Sequence, residues 1–472
     1  MKRFSILLLA ALVALAVWPP RAYAVSRGDI VSKAAVLIDA DTGQILFDKN
    51  MDERVYPAST TKIMTGVIAM EHGFPGELLT VTESAIDIME PASSNISLTP
   101  GEELTLDDAM YALMLPSAND AANVIAEHIA GSQEAFVDMM NAQARAIGAV
   151  DTHFVNAHGL HEEEHYTTAR DMATITRYAV GNEMFMRYFG ADRHTMAATN
   201  KQPWERPFSN YQYMLMSTSR FYNPDVIAGK IGFTTPAGHT MSTVAQKDGR
   251  TLICVVMGSP NRDQKFYDTQ TLLDFGFDEF TQIVIPGKDY DSFIVPIRES
   301  GEDIGEVEFL AGADFTFLLH NSIDPDRVTF SADAPDVLAQ GEKPSATVMV
   351  AADAEEEAIP SVLAVVPLVT RTNKAVTVAA HLETEKPQAT AGQTVLIAVC
   401  VVLGAAIVLF ALYFISAYRR RQARLRRLER RNRERTPEPV SAAQLRKMRE
   451  AEQGARHTGA SAQGRAYSRT AR

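Results

Sequence analysis

Apolar and polar positions divide the chain into distinct textures. Between 33 and 48 (KAAVLIDADTGQILFD) two apolar runs flank Asp41-Thr42-Gly43, which predicts a β-hairpin. From 59 to 72 the pattern turns helical, with Pro57 just ahead of the first turn. Residues 100–180 read as mainly helical. Within them Thr105-Leu106-Asp107-Asp108 has the form of a capping box, Asp replacing the usual Glu, before the apolar run 109–115. Segments 227–233 and 240–257 return to strand character, the second broken by the turn signal Lys247-Asp248-Gly249. These elements predict that 25–285 forms one α/β (α+β) unit with a mainly antiparallel sheet and a helical part. Past about 289 helical periodicity fades. Short apolar runs (293–297, 306–310, 346–350, 375–380) alternate with turn-rich or acidic stretches, predicting a small all-β domain over 286–383. The acidic run 353–357 reads as a solvated loop.

Both ends carry targeting signals. Lys2 and Arg3 precede the apolar run 6–17 and the small-x-small site Ala22-Tyr23-Ala24, so 1–24 reads as a secretory signal peptide. After a polar linker (384–394), residues 395–418 contain no charge. As a helix they span about 36 Å against a hydrocarbon core of about 30 Å, which predicts one transmembrane helix. Arg419-Arg420-Arg421 follows directly.

Charge sharpens this picture. The net charge of −13 hides a tail (419–472) with 17 Lys/Arg against 5 Asp/Glu, a net of +12 behind a body of −25. By the positive-inside rule the tail is cytoplasmic and the preceding domains lie outside. Contact with anionic membrane lipids accounts for the arginines more simply than nucleic acid, and no nucleic-acid partner is expected. Hydrophobic residues at 46% and charged residues at 22% exclude a mainly disordered chain. The two cysteines, Cys254 in an apolar run and Cys400 in the span, exclude a Cys-based zinc site and any disulfide between them.

The candidate chemistry starts at Pro57-Ala58-Ser59-Thr60-Thr61-Lys62. Ser59 and Lys62, three apart on a helix, share a face, and the nearby helix N-terminus favours negative charge on the serine oxygen. Ser59 is then a candidate nucleophile and Lys62 its base, provided burial or a second cation eases the lysine's loss of charge. Ser117-Ala118-Asn119 follows an apolar helix, and Lys230-Ile231-Gly232 lies in a predicted strand. Lys230 supplies that second cation, and Gly232 permits close backbone approach. The ordered set S-x-x-K, S-x-N and K-x-G matches a known pattern of penicillin-binding proteins and class A β-lactamases.

The resemblance extends further. Segment 34–65, with its DxxTGxxL and PASTTKIMT runs, is similar to the start of the serine D-alanyl-D-alanine carboxypeptidases, the low-molecular-mass penicillin-binding proteins of the peptidase S11-like family. Asn156-Ala157-His158-Gly159-Leu160, YTTARDM (166–172) and GKIGFTTPAG (229–238) resemble further family segments. The resemblance implies a penicillin-binding/β-lactamase-like catalytic domain followed by the β domain and anchor. It implies removal of the C-terminal D-alanine from peptidoglycan stem peptides outside a bacterial cell membrane, without cofactor or metal, and inhibition by β-lactams. Carried over by position, Ser59 forms the acyl-enzyme, Lys62 accepts its proton and Ser117 relays one to the leaving amine. Asn119 and Lys230 bind substrate beside Gly232, and the backbone N–H groups of Ser59 and Phe233 form the oxyanion hole.

One position departs from the family: Ile231 stands where the third motif usually carries Thr or Ser. A lost hydrogen bond to a charged group costs about 1.5–3 kcal/mol. The alternative reading is therefore a catalytically weakened or non-catalytic cell-wall-binding module of the same fold, with Thr234 or Thr235 as candidate substitutes for the missing hydroxyl. The spacing of His158, His161 and His165 is read as a structural loop in preference to a zinc site, and Asp171 as the cap of a helix over 172–178.

Overall fold

The structure, a computed structural model, describes residues 25–90, 93–352 and 360–372. They belong to one compact unit, Met1–Thr377. The expected signal peptide, linker, transmembrane helix and basic tail lie outside the described residues, as do the run 375–380 and the acidic segment 353–357. Among the described residues no helix is long and apolar enough to cross a membrane.

The expected hairpin forms strands β1 (Ala34–Asp39) and β2 (Ile45–Lys49). With β3 (Val226–Thr234), β4 (Gly238–Lys247) and β5 (Arg250–Ser259) they build a sheet in the order β2-β1-β5-β4-β3, antiparallel throughout. The β4–β5 turn falls at Asp248 and Gly249, whose positive φ angles (52° and 81°) suit a tight hairpin. Side chains alternate between two apolar clusters. Val36, Ile38, Ile253 and Val255 join the helical side, while Leu37, Leu252, Cys254 and Val256 join the other. Burial on both faces explains why these strands read as unbroken apolar runs.

The helical side holds α1 (Lys62–His72), α2 (Leu106–Met114), α3 (Asn119–Ala130), α4 (Gln133–Ala146) and α5 (Ala169–Val180). The predicted first helix starts as a 3-10 turn, Ala58–Thr61, before α1. The predicted capping residue works: Thr105 Oγ1 accepts the Asp108 N–H at 3.1 Å. The shorter Asp108 carboxylate bonds the Thr105 hydroxyl at 2.9 Å. Asp171 requires a correction. Thr168 caps α5 by accepting the Asp171 N–H at 3.0 Å, and the helix starts at Ala169. The Asp171 carboxylate instead binds Asp151 N and Thr152 Oγ1 (2.8 and 2.7 Å). An Asp three residues after a Thr is the acidic end of a cap, not its start.

Helix α6 (Gln264–Asp278) covers the other sheet face. Beyond it, strand Phe280–Ile285, inside the range expected for the first domain, pairs with Phe315–His320 of the β-rich part. There Val295, Phe309, Val348 and Val350 are buried in a mainly antiparallel six-stranded sheet whose edge strands are Val328–Asp333 and Leu338–Ala339. Gln44, in the β1–β2 turn, joins the two parts. Its side-chain amide exchanges both hydrogen bonds with the Leu318 backbone (2.6 and 2.7 Å), as a paired strand residue would.

Candidate active site

The 3-10 turn carrying Ser59 sits against the free edge of the sheet. Strand β3 is the outermost strand, so one row of its backbone groups is unpaired within the sheet. Thr240 Oγ1 donates to Pro57 O at 2.9 Å and ties the turn to the sheet. At Gly232 a Cβ would lie 2.7 Å from Ser59 N and 2.5 Å from Thr240 Oγ1, so only glycine permits this approach. Ala58 adopts φ 49°, a left-handed conformation that costs a non-glycine residue of order 1–3 kcal/mol. Gly159 (φ 89°) covers it, and a Cβ there would run into the Ala58 carbonyl.

Lys62 is fully buried, and its Nζ donates to three oxygens. Ser59 Oγ lies at 3.2 Å, Asn119 Oδ1 at 2.6 Å and His158 O at 2.6 Å. Burial, then the charge of Lys230, holds its pKa well below the ordinary lysine value, with Asp120 opposing. Lys230 itself is 2% exposed, and burial lowers its pKa to about 7. Two lysines thus share one dry neighbourhood, which is the condition under which an amine serves as a base near neutral pH.

Ser117 lies between α2 and α3, two residues before Asn119. Its φ of 62° is left-handed, and its buried Oγ has no hydrogen-bond partner among the described residues. An unsatisfied buried hydroxyl beside a strained backbone is costly, and such costs collect where substrates bind.

Along β3, Lys230, Gly232 and Thr234 share a face by strand alternation, while Ile231 points to the opposite one. Ile231 packs against the apolar cluster that contains Phe266 and Met241. Thr234 Oγ1 accepts the Ala237 N–H at 3.2 Å. Phe233 is 57% exposed, its ring tilted against His239 at 4.4 Å, and Thr235 is exposed.

The three histidines serve separate ends. His158 takes the Leu160 N–H on Nδ1 (3.1 Å) and offers its carbonyl to Lys62. His165 shares a 2.8 Å bond between Nε2 and Thr61 Oγ1 and accepts the Val155 N–H on Nδ1. His161 packs edge-on against Tyr56. Burial first, then neighbouring cations, lowers the pKa of both His158 and His165 to about 3. Cys254 is buried in β5, and burial raises its thiol pKa, so it stays protonated.

Several members of this site escaped the sequence reading. The His158 carbonyl is a backbone group and leaves no mark on residue type. The left-handed Ala58 carries no glycine to announce it. Asp120 stood in plain view after Asn119, and an acid directly following a polar motif residue at a helix start was the available signal. A cavity of about 1030 Å³ lies elsewhere, between β1–β2 and α5, and includes none of the candidate site residues.

Residues 21–261 match the peptidase S11 family, D-alanyl-D-alanine carboxypeptidase. The chain belongs to this family. It is 33% identical over 294 residues to the D-alanyl-D-alanine carboxypeptidase DacF of Bacillus subtilis, covering 59% of this chain and 72% of that one. It is 31% identical over 296 residues to DacC of Escherichia coli, covering 61% and 71%. Among solved structures it resembles penicillin binding protein 5 from Haemophilus influenzae, with a TM-score of 0.57 at 26% identity over 75% of this chain and 98% of that one. The protein is thus a serine-type D-Ala-D-Ala carboxypeptidase with the mixed α/β fold of penicillin-binding proteins.

Proposed function

We propose that this carboxypeptidase removes the terminal D-alanine of peptidoglycan stem peptides through an acyl-enzyme on Ser59. It works outside a bacterial cell, held by the transmembrane helix 395–418 with its basic tail in the cytoplasm. The observation that carries the reading is the Lys62 amine, buried and 3.2 Å from Ser59 Oγ with a second lysine nearby.

Neutral Lys62 takes the Ser59 proton as Oγ attacks the carbonyl between the two D-alanines. Negative charge builds on the carbonyl oxygen, which the backbone N–H groups of Ser59 and Phe233 receive, each such donor contributing about 3 kcal/mol. Ser117 passes a proton to the leaving amine. Asn119 orients Lys62 and the substrate amide, while Lys230 binds the terminal carboxylate. Gly232 admits the substrate strand to the β3 edge, and Thr234, on the face of Lys230, offers the hydroxyl that Ile231 lacks. Water then attacks the ester and frees the shortened peptide. A penicillin mimics the D-Ala-D-Ala end and acylates the same serine.

Full-length protein in detergent is incubated with a fluorescent penicillin and, separately, with a diacylated peptide ending in D-Ala-D-Ala. The expected outcome is covalent label on Ser59, lost in Ser59→Ala, together with release of D-alanine. Absence of both sinks the proposal. Muropeptide binding without turnover supports the non-catalytic alternative prompted by Ile231.

A further inference from the structure

Segment 93–98 borders Asn119 and is gripped from two sides. The Asn119 N–H donates to Ser94 O at 2.8 Å. The Asp120 carboxylate accepts the Ile96 and Leu98 N–H groups, each at 3.0 Å, and the Ala121 N–H at 2.9 Å. From the far side Arg206 donates to Ile96 O at 3.2 Å and pairs with Glu102. Ile96 thus has its N–H held by one buried acid and its carbonyl by the partner of another.

Asp120 is 2% exposed and Glu102 fully buried. Thr199 Oγ1 adds a 2.8 Å bond to Glu102, and Asn200 Nδ2 reaches Gly101 O at 2.9 Å. Burying two carboxylates carries a desolvation cost that apolar residues of similar volume avoid. What they fix is the wall beside Asn119, whose Oδ1 receives the Lys62 amine.

We propose that Asp120 is a positioning residue for the carboxypeptidase reaction: by clamping segment 93–98 to the start of α3 it holds Asn119 in register with Lys62. The inference rests on the proposed roles of Ser59, Lys62 and Asn119. Asp120 also acts on Lys62 electrostatically. The charged and titratable groups facing that amine are Lys230 from β3, Asp120 from α3, and His158 and His165 from the loop after α4. Of these Asp120 favours the ammonium form.

The test compares full-length protein with Asp120→Asn and Asp120→Glu. It reads Ser59 acylation by fluorescent penicillin against pH, kcat and KM for D-alanine release, and melting temperature. In Asp120→Asn, kcat falls about ten- to a hundredfold, and KM, through the substrate amide that Asn119 orients, changes by less. Loss of the carboxylate charge disfavours the ammonium of Lys62, so the free amine persists further into acid and the acid limb moves to lower pH. Asp120→Glu keeps the charge on a longer arm: its limb stays in place while kcat remains low.

Unchanged kcat in Asp120→Asn overturns the proposal, as does a loss confined to KM or one that tracks the folded fraction with an unmoved limb. Should Asp120→Asn not fold, Asp120→Glu decides, since kinetics equal to the unmodified protein refute positioning. An unmodified protein that is neither acylated nor active refutes the parent reading instead.

Discussion

Gly232→Ala perturbs the contact between the β3 edge and the Ser59 turn directly. The added Cβ would lie 2.7 Å from Ser59 N, 3.0 Å from Ala58 Cβ and 2.5 Å from Thr240 Oγ1. Thr240 is buried and already committed to Pro57 O, so it cannot turn aside without losing that bond. Relief must therefore come from shifting the β3 edge away from both the Ser59 turn and Thr240 on β4. Bringing 2.7 Å to an ordinary contact of 3.4 Å requires about 0.7 Å. Overpacking of this kind costs about 1–3 kcal/mol of stability. A displacement near 1 Å at a reacting centre costs about a hundredfold in rate, so acylation should slow by ten- to a hundredfold. The measurement is the second-order rate of Ser59 labelling by fluorescent penicillin, with melting temperature in parallel. Gly76→Ala is the control, because its nearest neighbour stands 3.9 Å away, and it should leave both quantities unchanged. Acylation of Gly232→Ala at the unmodified rate would refute the claim that this strand edge and the turn meet at van der Waals distance.

Two further outcomes follow from the same geometry. Ile231→Thr should lower stability by about 1 kcal/mol, because the side chain is half-buried against apolar neighbours, and should change D-alanine release only a few-fold. A large gain in activity would instead favour the catalytically weakened reading. Stability should also fall on acidification, measured by thermal melts across a pH series. In the fold His158 and His165 stay neutral down to about pH 3, whereas the unfolded chain binds protons near pH 6.5. The unfolded state therefore carries more protons between those values, and stability drops as pH falls from about 6.5 toward 3. Replacing His165 with Asn should flatten that dependence, and an unaltered slope would contradict it.

Much of the catalytic part was legible because its signals are local. Strand alternation, the Asp248-Gly249 turn and the Thr105 cap each follow from a few adjacent residues. The ordered Ser59/Lys62, Ser117/Asn119 and Lys230/Gly232 motifs were visible for the same reason. Asp171 was misread because a carboxylate near a helix start fits both the capping residue and the third turn residue, and only the backbone shows that Thr168 holds the first position. The meaning of Ile231 was equally closed to the sequence, since the direction of a strand side chain depends on which face the neighbouring elements cover.

What the chain alone determined, then, is the chemistry available: two hydroxyls, two amines and an amide, spaced in a recognisable order on predictable elements. Only the tertiary structure decided their states. Lys62 and Lys230 are ordinary lysines until the packing of α1, α3 and β3 removes water from both, and burial changes proton affinity in a way no residue spacing encodes. The same packing aims the His158 carbonyl and the Asn119 amide at one nitrogen, because hydrogen-bond partners close in space lie 57 and 96 residues apart in the chain.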